Sequence, residues 1–202
     1  MTMRLEGQRV LVVGMAASGM AAARFLCRRG ARVVVSELRP ATEVRAEMAE
    51  LLEGGIAVET GGHRERSFLD ADLIVVSPGV PADLAPLRRA RAQNTPVLGE
   101  LELASRFLQG TLAAITGANG KTTTTALTGH LLAACGRRVQ VGGNIGTPLI
   151  SLAETSTPET VNVVEASSVQ RETIETLHPH VAAVLNLSPD HLDRHGSMEA
   201  YA

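Results

Sequence analysis

Two kinds of apolar run alternate along the chain. Short stretches at 9–14, 32–37, 56–59, 72–77, 96–99, 112–115, 138–141, 161–165 and 181–185 are mostly Val, Leu, Ile and Ala, the pattern of parallel strands buried on both faces. Between them lie longer segments with helical spacing at 18–29, 42–53, 84–93, 100–108, 121–134, 148–154 and 170–177, several followed by glycine. Strand and helix in alternation predict an α/β fold with helices over parallel sheets. Two strands run into glycine-rich first turns, at 14–19 and 117–120. A Rossmann-like N-terminal domain over 1–108 and a second α/β domain over 109–202, built on a phosphate loop, is therefore the expected organisation.

The first turn, Gly14-Met-Ala-Ala-Ser-Gly19, has Ala16 where a dinucleotide fingerprint has its middle glycine. Glu37 stands about twenty residues on, at the position that would bond a ribose hydroxyl. Alanine at 16 weakens the close approach of backbone to pyrophosphate, so an NAD-binding oxidoreductase stays open as one reading. Ser77-Pro-Gly-Val-Pro81 ends another strand. Ligands of open α/β sheets gather there, which makes Ser77 and Gly79 pocket candidates, with a plain rigid turn as the alternative.

The second turn is richer in chemistry. In Thr116-Gly-Ala-Asn-Gly-Lys-Thr-Thr123, Gly117 and Gly120 allow the amides of Ala118, Asn119 and their neighbours to converge on a phosphate. Lys121 adds a point charge, and Thr122 has the place of a Mg²⁺-binding hydroxyl. Ile115 occupies the first glycine position of the common phosphate-loop pattern, so the loop is a short variant. Lys121 is the only lysine in the chain. A sequence that otherwise uses arginine has placed a compact ammonium at this one point.

Composition narrows the classes. A net charge of -2 offers no general attraction to a polyanion, and three Phe, one Tyr and no Trp supply no stacking platform for single-stranded nucleic acid. Cys27 and Cys135 lie in helical patterns far apart and are expected to be buried free thiols. With no leader and no long apolar span, a cytoplasmic protein is expected.

At later strand ends stand Glu165 and His191. A carboxylate just past a strand suits a hard divalent cation on nucleotide phosphates, and a histidine can ligate or orient a water. Asn144 could hold its loop or touch substrate; Ser167 and Ser168 could donate to an anion or cap a helix. His178 and His180 precede a strand without zinc-site spacing and read as surface.

Together Thr116–Thr123, Gly143-Asn-Ile-Gly146, Glu165-Ala-Ser-Ser-Val-Gln170 and Asn186-Leu-Ser-Pro-Asp-His-Leu-Asp-Arg194 resemble, in order and spacing, the motifs of the Mur ligases of bacterial peptidoglycan synthesis. The first domain is most similar to that of the members adding D-glutamate to UDP-N-acetylmuramoyl-L-alanine. The resemblance implies ATP and Mg²⁺ as cofactors, those two small molecules as substrates, and a monomer without nucleic-acid partner. It implies ATP binding by Gly117, Ala118, Asn119, Gly120, Lys121, Thr122 and Thr123. Metal ligation falls to Thr122, Glu165 and His191, with Lys121, Glu165 and His191 as the catalytic set. The uridine diphosphate part would lie at Ala17, Ser18, Ser36, Glu37, Ser77 and Gly79, and the muramoyl part near Asn144, Ser167 and Gln170. The chemistry implied is phosphorylation of a carboxylate followed by amine attack.

Val169 and Arg171 depart from the family's aromatic and aliphatic at those places. The family's carboxylated lysine and third domain would lie beyond Ala202, so the expectation is a fragment with a truncated central domain, inactive alone. Another Mur ligase, a folylpolyglutamate synthase relative and a non-catalytic nucleotide-binding module remain alternatives.

Overall fold

The computed structural model describes residues 3–81 and 83–201. The first sheet is built from β1 (Arg9–Val13), β2 (Arg32–Ser36), β3 (Ala57–Glu59), β4 (Leu73–Val76) and β5 (Val97–Gly99). They lie in the order β3-β2-β1-β4-β5, all parallel. Val10, Leu11, Val12 and Val13 are all buried, because helices cover both faces of β1. On one side pack α1 (Ala17–Arg28) and α2 (Arg45–Glu53), joined by α5 (Glu100–Ser105); on the other, α3 (Glu65–Leu69) and α4 (Ala85–Ala92). Phe25 and Phe107 meet edge to face with ring centroids 5.0 Å apart.

A second sheet contains β6 (Thr111–Thr116), β7 (Arg138–Gly143), β8 (Thr160–Glu165) and β9 (Val181–Val184), in the order β7-β8-β6-β9, again all parallel. The helices of this part are α6 (Lys121–Ala134), α7 (Leu149–Leu152), α8 (Ser168–Arg171), α9 (Leu192–His195) and α10 (Met198–Tyr201). Ala202, the last residue of the expected final helix start, lies outside the described residues. Because every strand is parallel, the carboxyl ends of β6, β7, β8 and β9 open at one edge, and so do the loops that follow them.

Several expectations are corrected. The second helix starts at Arg45 rather than Thr42. α3 was not expected, its five residues being too few to show a helical period. The helix expected over 170–177 is a single turn ending at Arg171. The reason is competition for backbone donors: the N–H groups of Glu175, Thr176 and Leu177 all point to the Glu102 carboxylate. Cys135 is exposed rather than buried, since it caps α6 beyond the buried Thr125 and Gly129; Cys27 is half-buried.

Two acids near the start of α5 face the second sheet's elements. Glu102 is fully buried, and Glu100 accepts a hydrogen bond from the Ile150 N–H at 2.6 Å while its other oxygen is buried without a protein partner. Burial drives the Glu100 carboxyl up to about 7, against the opposing hydrogen bonds from Ile150 and Leu149. A pKa raised in the folded state stabilises below the unfolded value of 4.5 and loses that contribution as pH rises through about 7. The loss is on the order of 3 kcal/mol. Urea unfolding at pH 5 and pH 8 should therefore show a decline that Glu100→Gln flattens; an unchanged slope in the variant would refute the assignment.

Candidate functional site

β6 delivers the chain into the loop at Gly117, whose φ is +143°, and α6 begins after Gly120, whose φ is +83°. Both values lie where a side chain is strained, which is why glycine stands at each. A Cβ at 117 would also press on Asn186 at 3.2 Å. The Lys121 ammonium folds back to donate to the carbonyls of Gly117 and Ala118 at 2.7 and 2.8 Å. Asn186 holds the loop from the β9 side: its Oδ1 accepts from the Asn119 N–H, and its Nδ2 donates to the Asn119 carbonyl.

Behind the loop sits Glu165, the last residue of β8 and only 2 % exposed. Its Oε2 accepts from the Thr122 hydroxyl at 2.8 Å and its Oε1 from the Asn144 amide at 2.7 Å. The Asn144 N–H also donates to the Glu165 carbonyl at 2.8 Å. Asn144 thus holds its loop and meets the acid at once. Thr122 spends its proton on Glu165 and keeps lone pairs, so hydroxyl and carboxylate are a pair of hard oxygen donors fit for Mg²⁺. Among the described residues no group of three or more His, Cys, Asp or Glu could hold a metal. A cation here would need phosphate oxygens to complete its shell, as Mg²⁺ on a nucleotide does.

A cleft of about 360 Å³ runs between the two sheets. Gly79, Gly117, Lys121, Asn144, Ser167 and His191 all line it, joined by Arg194 and Tyr201, which sequence reasoning did not select. His191 opens α9 in a left-handed conformation, φ +49°, uncommon for a residue with a side chain. Arg194 binds Glu172 at 2.8 Å and donates to the carbonyls of Pro78 and Val80, drawing α9 to the first sheet. Ser167 caps α8: its hydroxyl accepts from the Gln170 N–H, and the Gln170 side chain accepts from the Ser167 N–H. Gln170 is buried in that reciprocal cap.

The first sheet's strand ends are arranged differently. Ala17 is exposed at the start of α1, where helical N–H groups lack intrahelical partners, and Ser18 follows it. Ser36 is buried, its hydroxyl 2.8 Å from His63 Nδ1. Burial lowers the His63 pKa, partly countered by Glu37. Glu37 accepts from the N–H groups of Met15 and Arg39 and from the Arg39 guanidinium. Burial pushes its carboxyl up, but those bonds outweigh it and the net shift is downward. Glu37 therefore orders the glycine turn as an anion, and the solvent-facing side chains at this strand end are Leu38 and Arg39. Ser77 is also buried, donating to the Gly14 carbonyl at 3.2 Å. A larger depression of about 560 Å³, lined by Arg9, Arg32 and Asp70 among others, lies at the amino ends of β1 and β2, away from these loops.

Comparison with known proteins follows the same division. Residues 8–99 match the family model for the Mur ligase MurD-like N-terminal domain, and residues 115–202 that for the Mur ligase middle domain. A UDP-N-acetylmuramoylalanine--D-glutamate ligase of Koribacter versatilis is 54% identical over 200 residues, covering 99% of this chain and 44% of that protein. One from Geobacter sp. is 51% identical over 199 residues, covering 98% and 44%. The chain thus spans about 44% of the length of these curated relatives. Among solved structures, UDP-N-acetylmuramate-alanine ligase of Thermotoga maritima superposes with a TM-score of 0.57 at 24% identity, over 96% of this chain and 45% of that one. The UDP-N-acetylmuramate:L-alanyl-gamma-D-glutamyl-meso-diaminopimelate ligase of Neisseria meningitides gives 0.60 at 17% identity, over 96% and 65%. At such identities the likeness is one of fold.

Proposed function

We propose that this chain, which belongs to the Mur ligase family through the N-terminal and middle domains it carries, holds ATP and the nucleotide substrate in a ligase that adds D-glutamate to UDP-N-acetylmuramoyl-L-alanine during peptidoglycan synthesis. The observation that carries this reading is the convergence of Lys121, Asn144 and His191 with Gly79 on one cleft, with Thr122 and Glu165 bonded behind it. In this reading residues 1–108 take the uridine diphosphate part, at the Ala17 and Ser18 amides and beside Gly79. Residues 109–202 take ATP on the 117–123 loop. Mg²⁺, held by Thr122 and Glu165 with His191 at a second ion, would neutralise phosphate charge. Lys121 offsets the repulsion between a carboxylate and a triphosphate and steadies the transferring phosphoryl group. The substrate carboxylate would take the γ-phosphoryl group of ATP, releasing ADP and giving an acyl phosphate. The amino group of D-glutamate would then displace inorganic phosphate and lose a proton to form the amide. Such a protein works as a monomer in the cytoplasm, and among the described residues no helix is long and apolar enough to cross a membrane.

Substrate identity is tested by amide NMR. Adding UDP-N-acetylmuramoyl-L-alanine should shift Ala17, Ser18 and Gly79 saturably, with little response to NAD at equal concentration. Saturable shifts with NAD and none with the uridine compound would overturn the reading in favour of a dinucleotide-binding protein.

A further inference from the structure

The segment from α8 to β9 is clasped by chain belonging to the first sheet. At one end Glu172 binds Arg194, which donates to the carbonyls of Pro78 and Val80 at 3.0 and 3.1 Å. At the next residue, a Cβ on Gly99 would overlap the Thr173 hydroxyl, so the two stretches of backbone touch without room for a methyl group. Three residues on, Glu102 Oε2 accepts from the N–H groups of Glu175, Thr176 and Leu177, each at 3.0 Å. Its Oε1 accepts from the Thr176 hydroxyl at 2.6 Å and from Arg106 Nε at 2.8 Å. Three successive amides aimed at one point form a site for an anion. Here the anion is internal and comes from α5, more than seventy residues away in sequence.

We propose that Glu102 is a positioning residue: its carboxylate fills the amide nest at 175–177 and thereby holds α8, with Ser167 and Ser168, at the edge of the cleft between the sheets. Ser167 and Ser168 line that cleft, and Ser168 is fixed further by His195 Nε2 at 2.9 Å. Freed of Glu102, the segment keeps its own cap at Ser167 and the Glu172–Arg194 link to Pro78 and Val80, but loses its second anchor at 175–177, without which one link alone leaves α8 free to pivot. A carboxylate is needed because both oxygens are used as acceptors. An amide could serve only one set of donors and would turn its own N–H groups toward the other.

This inference rests on the ligase reading for its effect on ligand binding, but its core is testable without ligand. In the 202-residue chain, Glu102→Ala should lower hydrogen-exchange protection at 168–177 roughly tenfold or more, while β1 and β6 keep theirs. Acetate should restore protection at both 175–177 and 168–171, and acetamide should restore neither. UDP-N-acetylmuramoyl-L-alanine affinity should fall and recover in parallel. Loss confined to 175–177, uniform loss across the protein, or equal rescue by acetamide would each overturn the proposal. Should the variant fold only with an additive, folding in acetate but not acetamide supports it, and folding in neither overturns it. A wild-type chain that binds no uridine compound would refute the ligase reading and leave the exchange result to decide the role of Glu102.

Discussion

Gly19→Ala is expected to destabilise the protein by about 3 kcal/mol. Alanine favours a helix interior over glycine by about 1 kcal/mol, so a net loss of this size must come from contact. A Cβ at 19 would overlap the Gly14 carbonyl and sit 2.7 Å from Ser77 Oγ. Neither neighbour can give way: the Gly14 N–H is bonded to the Ser36 carbonyl at 2.9 Å, and the Ser77 hydroxyl is bonded to the Gly14 carbonyl. The cheaper response is for α1 to lift from β1. That would displace the Ala17 and Ser18 amides and expose Met20 and Ala23, both buried under the helix. Gly79→Ala is the control, because no atom lies within 4 Å of its added Cβ; it should stay within about 0.5 kcal/mol of wild type. Urea midpoints measure both, and equal midpoints for the two variants would remove the close-packing argument.

Lys121→Ala is expected to weaken Mg·ATP binding by about 10–100-fold. Hydrogen bonds from a charged donor are worth about 1.5–3 kcal/mol net, and each 1.4 kcal/mol is about tenfold in affinity. The chain has no other lysine. The ammonium also bridges the Gly117 and Ala118 carbonyls, so removing it loosens the loop as well as lowering its charge. Arginine is no substitute, since its planar fork cannot occupy the point between those two carbonyls. Titration calorimetry on folded wild-type and variant chains gives the ratio.

The sequence pattern shows β1, β4 and β8 clearly because parallel strands buried on both faces are nearly unbroken apolar runs. β9 is just as apolar, but it is the edge strand next to β6 and its Val181 and Val184 are exposed, so burial on both faces is not met there. The loop at 117–122 is readable for a related reason: glycine, lysine and threonine at that spacing act through the local backbone. Glu165 is readable from its place at a strand end and Asn144 from its glycine-rich loop, and parallel pairing brings the two together. What sequence hides is the distant partner. Ser36 faces His63, the helix expected over 170–177 stops at Arg171 as Glu102 takes the donors beyond it, and Arg194 reaches for the turn at 78–80. Each depends on a side chain from another part of the fold, which periodicity does not carry. Glu37 also has partners that its position does not announce: its oxygens accept from the Met15 and Arg39 N–H groups.

The most direct measurement is a calorimetric titration of ATP into the wild-type chain, in Mg²⁺ and then in EDTA. Phosphates cradled by the 117–122 loop, with Thr122 and Glu165 supplying metal oxygens, predict saturable one-to-one binding in Mg²⁺ that weakens sharply in EDTA and is weakened again by Lys121→Ala. A folded chain that binds no ATP in Mg²⁺, or binds it equally well without the metal and without the lysine, would contradict the account.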